Sequence, residues 1–238
     1  MYGAPKHTMK HLVSEWNFVA QGLKSLHVYR LAGGLWLLLF ALICQAETVS
    51  PHPPVKVLIL GDSLSAGYGI PLESSWVSLL EQQIDTSKMP TSIINASISG
   101  ETTGGGRQRL PTLLEKHHPD ITIIELGGND GLRGFPLNVI RQNLAAMVEL
   151  VTSQNSQALL VGMRIPPNYG PDYTEGFFSL YTDLASEYQV PVVPFFLEGV
   201  ALNPDLMQND GIHPNADGQP MLLANINQAL QPLLQQSR

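Results

Sequence analysis

The sequence predicts an α/β fold in one domain, with a five-stranded parallel sheet between two layers of helices (α/β/α). Five short apolar runs alternate with amphipathic segments, which is the pattern of a doubly wound sheet. The joints between them are short, and no internal repeat interrupts the series. The composition of the 238 residues, 44% hydrophobic and 14% charged, suits a single domain with a full core.

The first 46 residues have the pattern of an export signal, so we expect them to lie outside this fold. Lys24 and Arg30 precede the apolar run Leu31–Ile43, and Cys44-Gln45-Ala46 follows as a small-x-small cleavage signature. We therefore predict a signal peptide over residues 1–46 that is removed by cleavage after Ala46.

Two other interpretations of this leader stay open. An uncleaved membrane anchor is one, although about 13 apolar residues are short for a span of about 20. A lipoprotein signal is the other, although Ile43 rather than a small residue precedes Cys44. Met9 is an alternative start to Met1. After cleavage, a Pro-rich lead-in at 47–54 precedes the domain at 55–238, and no stable membrane anchor remains.

The charge and cysteine content of the remaining chain narrow the function classes. Residues 47–238 carry nine basic against nineteen acidic side chains, a formal charge of −10, which argues against nucleic acid as a partner. The one cysteine, Cys44, lies in the leader, so the domain has neither a disulfide framework nor a cysteine-based metal site. We expect the domain to reside in a periplasm or in the extracellular space.

The first half of the domain supplies three strands and three helices. Val55–Leu60 is rich in Val, Ile and Leu, as buried parallel strands are, and stops at Gly61-Asp62-Ser63. The second and third strands are predicted over Ser92–Ile98 and Ile121–Leu126. Residues at helical spacing predict three helices. The first is Ser74–Asp85, with Ser74 or Ser75 as cap and Trp76, Leu79, Leu80 and Gln83 in register, and the second contains Leu110, Leu113 and Leu114. The third is Leu137–Ser153, with one apolar face formed by Ile140, Leu144, Met147, Val148 and Val151.

The second half of the domain supplies two strands and two helices. The fourth strand, Ala158–Met163, leads into a proline-rich surface loop that begins at Arg164, and an amphipathic helix follows over Thr174–Tyr188. The fifth strand, Val190–Phe196, contains two prolines, which places it at the edge of the sheet. A last helix is predicted over Ala216–Leu234.

Polar and glycine-rich positions follow the predicted strands. Ser63 follows the first strand, Gly100 the second and Asn129 the third, while Asp210 and His213 lie beyond the fifth. Because the loops after parallel strands share one rim of the sheet, we expect these residues to converge. Each has an ordinary structural alternative: a helix cap for Ser63, a turn residue for Asp210 or Asn129, and a locally bonded ring for His213.

Together these residues predict nucleophilic catalysis by serine. A serine hydroxyl needs a base, and the three-residue spacing lets Asp210 hold the Nδ1–H of His213 while Nε2 takes the serine proton. An acyl-transfer intermediate also needs donors for its oxyanion, which the N–H groups of Ser63 and Gly100 and the amide of Asn129 can supply. Ser63, Asp210 and His213 are therefore the predicted catalytic residues, and Ser63, Gly100 and Asn129 the predicted oxyanion hole.

Four sequence blocks resemble the SGNH (GDSL) hydrolases. The blocks are Gly61-Asp62-Ser63-Leu64-Ser65, Gly100 in Ser-Gly-Glu-Thr-Thr, Gly127-Gly128-Asn129-Asp130 and Asp210-Gly211-Ile212-His213-Pro214. The resemblance runs from about Val55 to Leu234 and implies a flavodoxin-like three-layer fold with the same catalytic assignments. The loop 164–173 and the segment 207–211 resemble the subfamily of multifunctional bacterial periplasmic esterases.

The resemblance also implies a substrate class. It suggests a serine hydrolase of fatty acyl thioesters, lysophospholipids and aryl esters, a monomer that needs no metal or other cofactor. Apolar and aromatic loop residues are candidate walls for the acyl chain, with packing as the alternative role: Ile165, Tyr169, Tyr173, Phe177 and Leu202. Two other functions stay open, a carbohydrate acetylesterase with the same triad and a non-catalytic binding domain of the cell envelope.

Overall fold

The computed structural model describes residues 53–87 and 90–237. Within them, five parallel strands form one sheet in the order β2-β1-β3-β4-β5. The strands are β1 Val55–Gly61, β2 Thr91–Asn95, β3 Ile121–Glu125, β4 Gln157–Val161 and β5 Val192–Val193. This order confirms the α/β prediction: the chain winds outward from β1 in one direction and then in the other, which creates a switch point between β1 and β3. The predicted leader and its cleavage site lie outside the described residues.

Seven α-helices are described beside the sheet: α1 Ser63–Ala66, α2 Trp76–Ser87, α3 Thr103–His117, α4 Gly128–Leu132, α5 Leu137–Ser153, α6 Pro171–Tyr188 and α7 Gln219–Gln236. Helices α2 and α7 pack on each other, while α5 packs against both α3 and α6, so the sheet lies between two helical layers. Single 3₁₀ turns cover Leu72–Ser74, Pro167–Tyr169, Pro204–Leu206 and Ala216–Gly218.

The core lies where the central strands meet the apolar helix faces. Every residue of β3 is buried, including Thr122 and Glu125, as expected for a strand covered on both faces. Helix α5 spans the predicted residues and buries the predicted face. In α2 the buried residues are Trp76, Val77, Leu80 and Ile84, whereas Leu79 and Gln83 are only half-buried. The face of α2 is therefore shifted slightly from the one predicted.

The observed limits of several elements differ from the predicted ones, and local side-chain chemistry explains the differences. β2 ends at Asn95 rather than at Ile98, because the Asn95 carboxamide accepts the Ser97 N–H at 3.1 Å and turns the chain. β5 has only two residues, since the prolines at 191 and 194 cannot donate to a ladder, and it lies at the predicted edge. Helix α6 begins three residues early, with Pro171 in the first turn, where a missing N–H costs nothing.

Candidate active site

The turn between β1 and α1 presents Ser63 at the carboxyl end of the sheet. β1 ends at Gly61, and the Asp62 carboxylate caps α1 by accepting the Leu64 N–H at 3.0 Å. Ser63 is the first residue of the helix and is half-buried. Ser63, which was predicted to follow the first strand, thus lies at the switch point, where open α/β sheets bind ligands.

His213 and Asp210 complete a hydrogen-bonded chain with this serine. His213 Nε2 lies 2.9 Å from Ser63 Oγ, and His213 Nδ1 lies 2.6 Å from Asp210 Oδ2. Because a carboxylate only accepts, Nδ1 carries the proton, and Nε2 is left to accept from the serine hydroxyl. The three residues predicted from their spacing therefore meet, although 150 positions separate Ser63 from His213.

Asp210 is held as an anion by the turn that it starts. Its Oδ1 accepts the backbone N–H of Ile212 at 2.9 Å and that of His213 at 3.0 Å. Partial burial raises the pKa of this carboxyl, but the bonds from His213 and Ile212 outweigh it and lower the pKa to about 2. Asp210 is thus ionised at neutral pH and can orient the imidazole.

Gln208, which no sequence pattern singles out, joins the turn that carries His213 (residues 210–214, the histidine turn) to the segment that follows α1. Its Nε2 donates to Tyr68 O at 2.8 Å and to Pro214 O at 3.0 Å, and its backbone N–H donates to His213 O at 2.7 Å. The Tyr68 ring also lies 4.7 Å from the imidazole. A glutamine in a loop has no distinctive spacing, so only the folded chain identifies this contact.

Asn129 and Gly100, the predicted oxyanion donors, lie on neighbouring loops. Asn129 is in the first turn of α4, and its Nδ2 donates to Asp62 Oδ2 at 2.9 Å. Gly100 follows β2 with φ of 79°, and its carbonyl accepts from Arg133 at 3.3 Å. Asn129 lines the same cavity as Ser63 and His213, whereas Gly100 is not among the lining residues.

Two carboxyls lie close to Ser63: Asp62, which precedes it in the turn at residues 61–63 (the serine turn), and Glu125, which ends β3. Burial raises the pKa of Asp62 to about 6, against the opposing bonds from Leu64 and Asn129. Glu125 is fully buried at the end of β3, and burial followed by the nearby Asp62 carboxylate raises its pKa well above the ordinary value. In the sequence Glu125 lies within an apolar strand and no pattern indicates a role for it, because a single glutamate does not break such a run.

A cavity of about 590 Å³ opens beside Ser63 and His213. Its walls are mostly apolar, and they come from the loops after β4 and β5 and from the histidine turn, with Met163, Ile165, Leu197, Leu202, Met207 and Ile212 among them. Arg164 and Glu175 add charge at the wall, and the Arg164 guanidinium lies 3.5 Å from the centre of the Phe178 ring. A site of this size and character suits a small, largely apolar ligand.

Two of the five residues predicted as walls for the acyl chain line this cavity. Ile165 and Leu202 line the cavity, but Phe177 is 0% exposed and packs edge-on against Tyr181 in the core. The hydroxyls of Tyr169 and Tyr173 donate to the carbonyls of Leu132 and Phe135, each at 2.6 Å. The three aromatic residues are not among the lining residues of the cavity: Phe177 is part of the core, and the two tyrosines bond the last residue of α4 and the segment that follows it.

Two absences hold for residues 53–87 and 90–237, the part of the chain that the structure describes. No helix in this part of the chain is long and apolar enough to cross a membrane. No group of three or more His, Cys, Asp or Glu side chains in the same part is arranged to hold a metal ion.

Comparison with known proteins places this geometry among acyl hydrolases. The GDSL-like Lipase/Acylhydrolase family matches residues 59–220. An arylesterase of Vibrio mimicus is 45% identical over 196 residues, covering 82% of this chain and 96% of that protein. Thioesterase 1/protease 1/lysophospholipase L1 of Escherichia coli strain K12 is 48% identical over 178 residues, covering 75% of this chain and 84% of that protein.

A solved structure agrees with the sequence comparisons. The psychrotrophic esterase EstA from Pseudoalteromonas sp., in a structure inhibited by monoethylphosphonate, superposes with a TM-score of 0.73 at 43% identity. The match covers 76% of this chain and 98% of that one.

Proposed function

The chain belongs to the GDSL-like lipase/acylhydrolase family, and we propose that it hydrolyses acyl esters and thioesters through an acyl-enzyme formed on Ser63. The observation that carries this proposal is the pair of hydrogen bonds that links Ser63 Oγ to His213 Nε2 at 2.9 Å and His213 Nδ1 to Asp210 at 2.6 Å. These three side chains lie beside an apolar cavity that can receive an acyl group.

Acylation uses the three side chains in distinct roles. Ser63 Oγ attacks the substrate carbonyl while His213 Nε2 accepts its proton, and the ionised Asp210 stabilises the imidazolium that forms. His213 then gives the proton to the departing alcohol or thiol. In the second half, water attacks the acyl-enzyme with His213 again as base, and Ser63 is released with the free acid.

The negative charge that develops on the carbonyl oxygen of the substrate needs hydrogen-bond donors that are already in place. The Asn129 amide has two N–H groups, and one of them is held by Asp62. We assign the other, with the N–H groups of Ser63 and Gly100, to the oxyanion. Donors of this kind are each worth about 2.7–4 kcal/mol in the transition state.

The acyl chain is proposed to lie along the apolar wall of the cavity, with Ile165 and Leu202 in contact. The names of the relatives, arylesterase and thioesterase 1/protease 1/lysophospholipase L1, support aryl esters, acyl thioesters and lysophospholipids as substrates. We further propose that a signal peptide exports the enzyme to the periplasm and is cleaved after Ala46, which the charged and apolar pattern of the leader supports. We propose the mature enzyme to be a monomer.

An acyl-chain series on aryl ester, thioester and lysophospholipid substrates tests this function. The wild-type enzyme is expected to cleave C8 to C16 substrates and to be labelled by a fluorophosphonate. Ser63→Ala should lose both hydrolysis and labelling while it keeps its fold, as judged by circular dichroism. Ser186→Ala, at an exposed position on α6, is the matched control and should behave as the wild type.

Two results would contradict the proposal. Hydrolysis retained by Ser63→Ala would show that the nucleophile lies elsewhere. Activity restricted to acetylated sugars, with none on C8 to C16 chains, would replace the lipid substrates by carbohydrate acetyl esters.

A further inference from the structure

Glu125 is a buried carboxyl that the proposed mechanism leaves without a role. It is the last residue of β3, it is 0% exposed, and it pairs in register with Gly61 of β1. Its Oε2 accepts the Ser65 hydroxyl at 2.6 Å and the Asp62 N–H at 3.2 Å. One carboxyl oxygen therefore binds the residues on both sides of Ser63.

The chain leaves room for this contact at Gly61. A Cβ atom at Gly61 would lie 2.6 Å from Glu125 Oε2 and 2.8 Å from the Ser65 side chain. Any other residue would push the carboxyl away from the turn, because such distances are far below van der Waals contact. Gly61, two residues before Ser63, is thus required by the position of the Glu125 carboxyl.

The same contacts continue to the oxyanion side. Asp62 is bound through its N–H to Glu125, and its carboxylate accepts the Leu64 N–H at 3.0 Å and the Asn129 amide at 2.9 Å. A displacement of Asp62 would therefore move both the cap of α1 and the amide of Asn129.

We propose that Glu125 is a positioning residue for the hydrolysis: from one oxygen it fixes the turn that presents Ser63 and, through Asp62, the amide of Asn129. This inference rests on the proposed function of Ser63 and Asn129. It assigns Glu125 no contact with substrate.

Glu125 performs this role as the uncharged acid. Among the described residues, its Oε1 has no hydrogen-bond partner. An ionised carboxylate there would be a buried charge with only one of its two oxygens hydrogen-bonded, which is costly. The titratable groups that face it are Asp62 at the end of β1 and the Tyr181 hydroxyl from α6, both acids. Burial and the Asp62 carboxylate raise the pKa of Glu125 well above its ordinary value, in agreement with this geometry.

Glu125→Ala and Glu125→Gln in the full chain test the proposal. The readouts are kcat and KM for a p-nitrophenyl ester, expressed per active site titrated with a fluorophosphonate. Glu125→Ala should lower kcat about 10–100-fold with KM little changed, since a misplaced nucleophile costs about that much. Glu125→Gln keeps an acceptor oxygen and no charge, so it should stay within about threefold of the wild-type kcat with the same pH profile.

Two further variants keep the test decisive if Glu125→Ala folds poorly. Ser65→Ala removes one of the two donors to Oε2 and should also lower kcat per titrated site. Thr122→Val is the matched control, because Thr122 is buried on the same strand and its hydroxyl bonds that of Ser156 at 3.0 Å, away from the turn that presents Ser63. It should lower stability and leave kcat per titrated site unchanged.

The possible failures are distinguishable. If Glu125→Ala and Ser65→Ala lose stability but keep kcat, as Thr122→Val does, Glu125 is only structural. If Glu125→Gln is as slow as Glu125→Ala, or changes the pH profile, the uncharged-acid role is wrong. A wild-type enzyme that neither hydrolyses esters nor takes the label would overturn the function proposed for Ser63 itself.

Discussion

At the scale of single residues, the site depends on side chains that are held from two directions. Asn129 is bound by Asp62 at 2.9 Å and also lines the cavity beside Ser63. His213 is bound by Asp210 on one nitrogen and by Ser63 on the other. Such fixation before substrate arrives is what makes donors effective, because little reorganisation is needed during the reaction.

Asn129→Ala is expected to lower kcat about 10²–10³-fold while KM changes much less, since an oxyanion bond forms mainly in the transition state. Steady-state kinetics on one aryl ester measures the effect. Asn168→Ala, at an exposed position of the 3₁₀ turn after β4, is the control and should leave both constants unchanged. An effect of Asn129→Ala on KM alone would remove Asn129 from the oxyanion hole.

At the scale of elements, the loop between β2 and α3 carries Gly100, and Arg109 bonds it at both ends. Arg109 of α3 donates its Nε to Glu101 Oε2 at 2.7 Å and its Nη2 to Ala96 O at 3.0 Å. The two bonds join the beginning and the end of the loop. Because a lysine has no such fork, its single charge cannot hold both ends.

Arg109→Lys should therefore lower kcat by about 3–10-fold through a displaced Gly100 N–H. The loss of stability should stay below about 1 kcal/mol, since the ion pair is partly exposed. Kinetics and urea unfolding measure the two effects. Arg107→Lys on the same helix is the control, because Arg107 is exposed and bonds Asn143 instead. Equal kcat values for the two variants would show that the loop does not depend on Arg109.

At the scale of the whole molecule, the paired carboxyls under the serine turn link folding to pH. Asp62 and Glu125 both have raised pKa values in the folded chain, chiefly because they are buried. A raised carboxyl pKa stabilises the fold below the unfolded pKa of about 4 and loses that contribution as pH rises through the folded value. The site therefore costs stability at the neutral pH where the proposed base works.

We expect the free energy of unfolding to fall between pH 4 and pH 7, with Asp62 contributing on the order of 3 kcal/mol of that decrease as pH passes its folded pKa of about 6. Asp62→Asn, which keeps a helix cap and does not titrate, should make this decrease smaller by about that amount and leave the share of Glu125. Urea unfolding of both proteins across this range measures the difference. Parallel profiles would show that Asp62 does not change its ionisation on folding.

Much of this architecture follows from local patterns. The apolar runs gave β1 and β3 because central parallel strands are buried on both faces, and the spacing of Ile140 and Leu144 gave α5 with its buried face. The prolines at 191 and 194 placed β5 at the edge. The limits of β2 and of α6 were missed by a few residues, since one side-chain bond from Asn95 and one proline in a first turn decided them.

The sequence by itself determined the α/β fold and the five candidate positions after the strands, four polar residues and Gly100, because periodicity, turn chemistry and chain order are all local signals. Only the tertiary structure decided the supporting contacts: Gln208 on Tyr68, Glu125 on Asp62 and Ser65, and the two tyrosine hydroxyls on the carbonyls of Leu132 and Phe135. These contacts join residues about 37 to 140 positions apart, and they depend on helix rotation and loop path. No local sequence pattern specifies how a helix is rotated or which path a loop takes. The residues that line the cavity and those that support Ser63 and His213 are therefore identified only in the folded chain.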